Sequence, residues 1–176
     1  WARFSKSRYF ELRDRIYAHA RQTLTTTFLA RYVLSFSTEP GSVRVLFLSS
    51  AKQDYQSGFL YHGLRLVLGS NMSAIEGERA GLCTSDDPTR TMYGRGFGYS
   101  NALNSTQCPE ESIQSMEAKM KSGFYNLVII TNAGNKFCNI MNYRYGSVVA
   151  EYIRSNPAAL VFTVDGSDIK GCSVFQ

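Results

Sequence analysis

His62, in Tyr61-His62-Gly63, is the first residue to consider for chemistry. Placed near the start of a helix that faces a crevice, an imidazole acts as a general base or binds an acidic group. The plain alternative is a partly exposed His with a local hydrogen bond. Asp54, in the polar stretch just before it, is the second acid–base candidate. Three polar clusters follow apolar runs: Ser49, Ser50, Lys52 and Asp54; Thr131, Asn132, Asn135 and Lys136; Asp165, Ser167 and Asp168. Such hydroxyls, amides, carboxylates and lysines are what a sugar or a phosphate-bearing ligand needs from a site. Solvated loops have the same composition, so the types alone leave both readings open.

Arg95 sits in Gly94-Arg95-Gly96-Phe97-Gly98. This is not a dinucleotide fingerprint: it follows no strong strand, opens no amphipathic helix, and its third Gly comes too soon. It reads as a tight loop from which Arg95 pairs with a carboxylate or phosphate, or as a surface turn with an exposed Arg. Gly-x-Ser-x-Gly and Walker A sequences are absent. Thr131-Asn132 stands where a receiver domain would carry its phosphoacceptor Asp. Cys83, Cys108, Cys138 and Cys172 have no zinc-ligand spacing with each other or with His19 and His62. Neither a metal site nor a cofactor is expected.

The elements that must position these residues follow from periodicity. From Arg8 to Leu34 an apolar stripe recurs every four residues through Leu12, Ile16, Ala20, Leu24 and Phe28, which predicts an amphipathic helix. Thr25-Thr26-Thr27 lowers helix propensity and is expected to kink or split it. Val43–Leu48 reads as a central parallel strand, Gly58–Leu68 as a helix with Leu60, Leu64 and Val67 on one face, and Gly69 as its stop. Met72–Glu76 reads as a short second strand. Residues 77–107 are irregular, a length that usually signals function or disorder. Pro109-Glu110-Glu111 suits a helix start, with Ile113, Met116 and Met120 inward and Gly123 as its end. Leu127–Ile130 is the clearest strand. Tyr145–Arg154 follows as a helix with Tyr145, Val148, Val149 and Tyr152 inward, and Leu160–Val164 as the last strand. This alternation predicts an α/β fold with a doubly wound, mainly parallel, Rossmann-like sheet over residues 43–176, preceded by an N-terminal helical extension over residues 1–38. In such a sheet ligands bind beyond the carboxyl ends of the strands, where the three polar clusters fall.

With 176 residues the chain is about one domain, and 44% hydrophobic against 19% charged residues argues against disorder. No run of eighteen apolar residues exists, so no transmembrane segment is expected. The start, Trp1-Ala2-Arg3-Phe4, has neither an initiator Met nor a signal-peptide pattern and reads as a processed product or a fragment. The net charge of +5 mildly favours acidic partners. Arg3, Arg8, Arg13, Arg15, Arg21, Arg31 and Arg44 crowd the amino-terminal quarter, as a solvated helix face or as a docking surface for a protein partner. No nucleic-acid partner is expected. An even Cys count permits two disulfides, and Cys83 with Cys108 would staple the irregular stretch. Asn71-Met72-Ser73 and Asn104-Ser105-Thr106 are N-glycosylation sequons. Together these features tilt towards a secretory or other oxidising lumen, with free thiols in a cytosolic protein as the alternative.

Four short segments occur in order: Asp54-Tyr55-Gln56, Tyr61-His62-Gly63-Leu64, Met92-Tyr93-Gly94-Arg95-Gly96-Phe97 and Val164-Asp165-Gly166-Ser167-Asp168. Over about residues 43–170 this run resembles the N-terminal half of bacterial-type glycosyltransferase-like proteins of the two-Rossmann GT-B architecture. The resemblance implies a sugar or glycan acceptor held near His62, Arg95, Asp54 and Asp165. It also implies that the nucleotide-sugar half is missing, so the chain is not expected to transfer sugar alone. The expected ligand-binding set is Ser49, Lys52, Asp54, His62, Arg95, Asn132, Asp165 and Asp168, with His62 and Asp54 as catalytic candidates. Two alternatives stand beside the acceptor-side domain: a non-catalytic binding or structural subunit of a larger assembly, and a small independent α/β enzyme. A precursor ending near Gln176, with apolar residues exposed on the Leu12–Phe28 stripe, would favour the subunit. A deep pocket at the strand ends with a strongly perturbed His62 or Asp would favour the enzyme.

Overall fold

The computed structural model describes residues 5–37, 42–48, 55–75, 112–131 and 146–164. Its strands are β1 (Val45–Leu48), β2 (Met72–Ile75), β3 (Leu127–Thr131) and β4 (Leu160–Val164). All pair in parallel, in the order β2-β1-β3-β4. Its helices are α1 (Lys6–Thr23), α2 (Thr26–Leu34), α3 (Tyr55–Leu68), α4 (Ile113–Lys121) and α5 (Gly146–Ser155). This is the expected doubly wound, Rossmann-like α/β fold with N-terminal helices.

Every residue of β1 and of β3 is buried. Parallel strands covered on both faces need apolar side chains in both directions, which is why neither run alternates with polar residues. The pleat sends Val45, Phe47, Leu127 and Ile129 to one face, against Ala30 and Leu34 of α2 and Leu60, Tyr61 and Leu64 of α3. It sends Leu46, Leu48, Val128 and Ile130 to the other, against Met116 and Met120 of α4 and Val149 and Tyr152 of α5. The connection from β1 to β2 runs one way along the sheet and that from β3 to β4 runs the other way. Right-handed crossovers then place α3 and α5 on opposite faces.

The long N-terminal periodicity divides at Leu24. Thr25 adopts an extended backbone, and its hydroxyl accepts a hydrogen bond from Phe28 N at 3.1 Å, capping α2. Gly69 (φ +54°) and Gly123 (φ +68°) follow α3 and α4 in the left-handed conformation that ends helices. The helix expected from Pro109 instead starts at Ile113, because Ser112 is extended and its hydroxyl caps Ser115 N at 3.2 Å. Ile113 and Val67, expected inward, are 39% and 36% exposed. They lie one turn from the buried Met116 and Leu64. Val148 is half-buried beside Val149. Tyr145, residues 77–107 and all four cysteines lie outside the described residues, as does Asn104-Ser105-Thr106. Among the described residues no helix is long and apolar enough to cross a membrane.

Candidate functional site

The two edges of the sheet differ. The amino edge is closed by Asn126, through its side chain and its carbonyl. Asn126 Oδ1 accepts from Arg44 N at 2.8 Å, Asn126 Nδ2 donates to Ser42 O at 3.3 Å, and Leu160 N donates to Asn126 O at 3.0 Å. At the carboxyl edge, Leu48 of β1 is level with Ile130 of β3 and with Ile75 of β2, and Thr131 with Val164 of β4. Thr131 is fully buried there, and its hydroxyl donates to Leu48 O at 3.4 Å. Ser57, in the first turn of α3, is also fully buried, on the face that carries Tyr61 and Leu64. Thr131 and Ser57 are therefore small polar groups set into an apolar core at the edge where crossovers from β1 and β3 leave in opposite directions. The sequence reading placed Thr131 in a loop and passed over Ser57. A hydroxyl flanking an apolar run was the available signal.

Of the expected site residues, His62 is described; Ser49, Lys52, Asp54, Arg95, Asn132, Asp165 and Asp168 lie outside the described residues. Connectivity starts the segments that carry Ser49, Lys52 and Asp54, Asn132, and Asp165 and Asp168 at Leu48, Thr131 and Val164, all at the carboxyl edge.

His62 is not at a helix start. It is in the middle of α3, about 10 Å along the axis from Tyr55. Its Nδ1 is 2.9 Å from the hydroxyl of Thr26, the first residue of α2. Partial burial lowers its pKa below the usual 6.5, so the imidazole is neutral at neutral pH. The next residue explains the approach. A Cβ on Gly63 would lie 1.9 Å from Thr26 O, so only glycine lets α2 cross α3 here. The His62–Thr26 contact joins two helices, and the strand ends are reached by the other end of α3.

Arg65, one turn further on, is 2% exposed. It donates to Met72 O at 2.6 Å, to Gly69 O at 3.3 Å and to Tyr61 Oη at 3.1 Å, and its guanidinium lies over the Tyr61 ring. These bonds satisfy carbonyls at the end of α3 and the start of β2. A buried Arg in this role was not anticipated; Tyr61 four residues earlier was the one local hint.

A second surface lies on the N-terminal helices. No residue of α1 is buried. Leu12, Ile16, Leu24 and Phe28 of the periodic stripe are exposed, Leu24 to 77%. At the bend between α1 and α2, Leu24, Phe28, Leu29 and Tyr32 join Phe59 of α3 around an open apolar groove of about 410 Å³. Among the described residues no group of three His, Cys, Asp or Glu is placed to hold a metal ion.

Comparisons with protein families, with curated proteins and with solved structures match nothing to this chain.

Proposed function

We propose that this chain is an acceptor-side, sugar-binding domain of a glycosyltransferase-like protein. The observation that supports this most is the register of β1 with β3, Leu48 level with Ile130 at the carboxyl edge. Crossovers leave these neighbours towards opposite faces, which opens a crevice between them. In the sequence Ser49, Lys52 and Asp54 follow β1, Asn132 follows β3, and Asp165 and Asp168 follow β4. Such groups match the hydroxyls of a sugar. The ordered likeness of Asp54-Tyr55-Gln56, Tyr61-His62-Gly63-Leu64, Met92–Phe97 and Val164–Asp168 to GT-B proteins supplies the ligand class. Because His62 is engaged with Thr26, Asp54 carries the acid–base candidacy in this reading.

Saturation-transfer NMR on the intact chain tests it, with an oligosaccharide panel and a nucleotide-sugar panel. Oligosaccharide signals are expected, weakened about tenfold in affinity by Asp54→Asn, the loss that follows from one hydrogen bond to a ligand. Silence from every oligosaccharide, or signals from nucleotide sugars alone, would refute it.

One observation favours a second reading, a non-catalytic subunit that docks through its N-terminal helices. Leu12, Ile16, Leu24 and Phe28 of the stripe are exposed along two successive helices. A contiguous patch of that kind on a soluble domain marks an interaction surface.

A further inference from the structure

We infer that the α1–α2 surface receives an acidic amphipathic helix of a partner protein. The inference rests on the second reading above and adds the chemistry of what docks.

Charge supplies the first argument. The two helices carry Lys6, Arg8, Arg13, Arg15, Arg21 and Arg31 against Glu11 and Asp14. Asp14 is already held by Arg13 at 2.6 Å, so its charge is compensated on the spot. An incoming segment meets a basic field, and complementary potentials steer and register such encounters.

Shape supplies the second. The groove between Leu24, Phe28, Leu29 and Tyr32 of the bend and Phe59 is concave and apolar. A side chain of Leu or Phe size fits such a space, and a helix that presents apolar residues at three- and four-residue spacing runs on from it along Ile16 and Leu12. A flat bilayer does not fill a concave groove.

Composition supplies the third. Arg13 lies over the Phe10 ring with its guanidinium carbon 4.7 Å from the ring centre, and Lys6 lies over the same ring at 5.8 Å. Arginine and aromatic residues together are the composition of protein-interface anchors. Carboxylates from the partner meet the exposed Arg8, Arg15 and Arg21 in water, whereas insertion into hydrocarbon would strip these cations of it. A second copy of this chain fits poorly, because a two-fold contact would bring the same cations face to face.

Selection of a random peptide library on the intact chain, followed by fluorescence anisotropy of the enriched peptides, tests the inference. The expected consensus has Leu, Phe or Trp at helical spacing and an excess of Asp and Glu. Leu24→Ser, with the most exposed side chain of the stripe, should abolish binding with an unchanged circular dichroism spectrum and melting temperature. Arg13→Glu with Arg21→Glu should weaken it at least tenfold, and replacing the peptide's Glu by Lys should restore it. Binding that needs Leu24 but selects neutral or basic peptides would overturn the acidic partner and leave the docking reading standing. No Leu24-dependent peptide would overturn both. Leu24-dependent binding to phosphatidylserine vesicles without any peptide, or a dimer that Leu24→Ser dissolves, would overturn the inference in favour of a membrane or a second copy.

Discussion

Gly63 and His62 act on the same neighbour, the first turn of α2. Alanine at Gly63 would raise helix propensity by about 0.8–1 kcal/mol. Its Cβ would also lie 1.9 Å from a backbone oxygen and 2.4 Å from the carbonyl carbon of Thr26, so α2 would have to move. Overpacking against a rigid element costs about 1–3 kcal/mol, and a clash this deep belongs at the upper end. Gly63→Ala should therefore lower stability by about 2 kcal/mol, read as a shift of the urea midpoint. His62 makes stability depend on pH. Burial lowers its folded pKa below 6.5, so in acid the unfolded chain binds the proton more readily. Stability should be full above 6.5 and fall as the pH drops through 6.5 towards the lowered folded value. His62→Gln should flatten that dependence in urea melts across the acid range. The sequence made the residue type legible but not its depth, because the partner, Thr26, is 36 positions away. Arg65 was illegible for a similar reason: burying a guanidinium depends on carbonyls released where α3 ends and β2 begins.

At the scale of elements, a four-residue apolar period shows that a helix has a face but not whether that face is covered. Along α1 and α2 the period marks the uncovered face: Leu12 and Ile16 are 55% and 58% exposed, while Ala30 and Leu34, which are off the stripe, enter the core. Leu12→Gln and Ile16→Gln should each change stability by less than about 0.5 kcal/mol, the usual range for surface positions. Leu34→Ala should cost about 2–5 kcal/mol, because it opens a cavity between α2 and the sheet. Urea titration of the three variants separates the cases. The break at Thr25 was legible because hydroxyl residues compete with helix hydrogen bonds and cap the next helix. The exposure of Ile113 and Val67 was not, since spacing alone does not give the width of the covered arc.

At the scale of the molecule, the parallel sheet could be read from sequence because unbroken apolar runs such as Val128-Ile129-Ile130 suit strands buried on both faces. The strand order was not legible, because it depends on which side of β1 each crossover returns, and that is decided by packing of helices on the two faces. Order fixes where β1 and β3 meet, and so where the proposed crevice opens. The sequence named polar residues for that edge, Thr131 among them; the fold buries Thr131, adds buried Ser57 and turns His62 towards α2. The most direct test of the account is a two-dimensional amide NMR titration of the isotope-labelled chain with an oligosaccharide that binds it. Shifts should gather at the carboxyl edge, at Leu48, Ser57 and Thr131, and spare Arg44 and Asn126 at the closed amino edge. Shifts confined to the amino edge or to α1 and α2 would contradict a ligand site between β1 and β3.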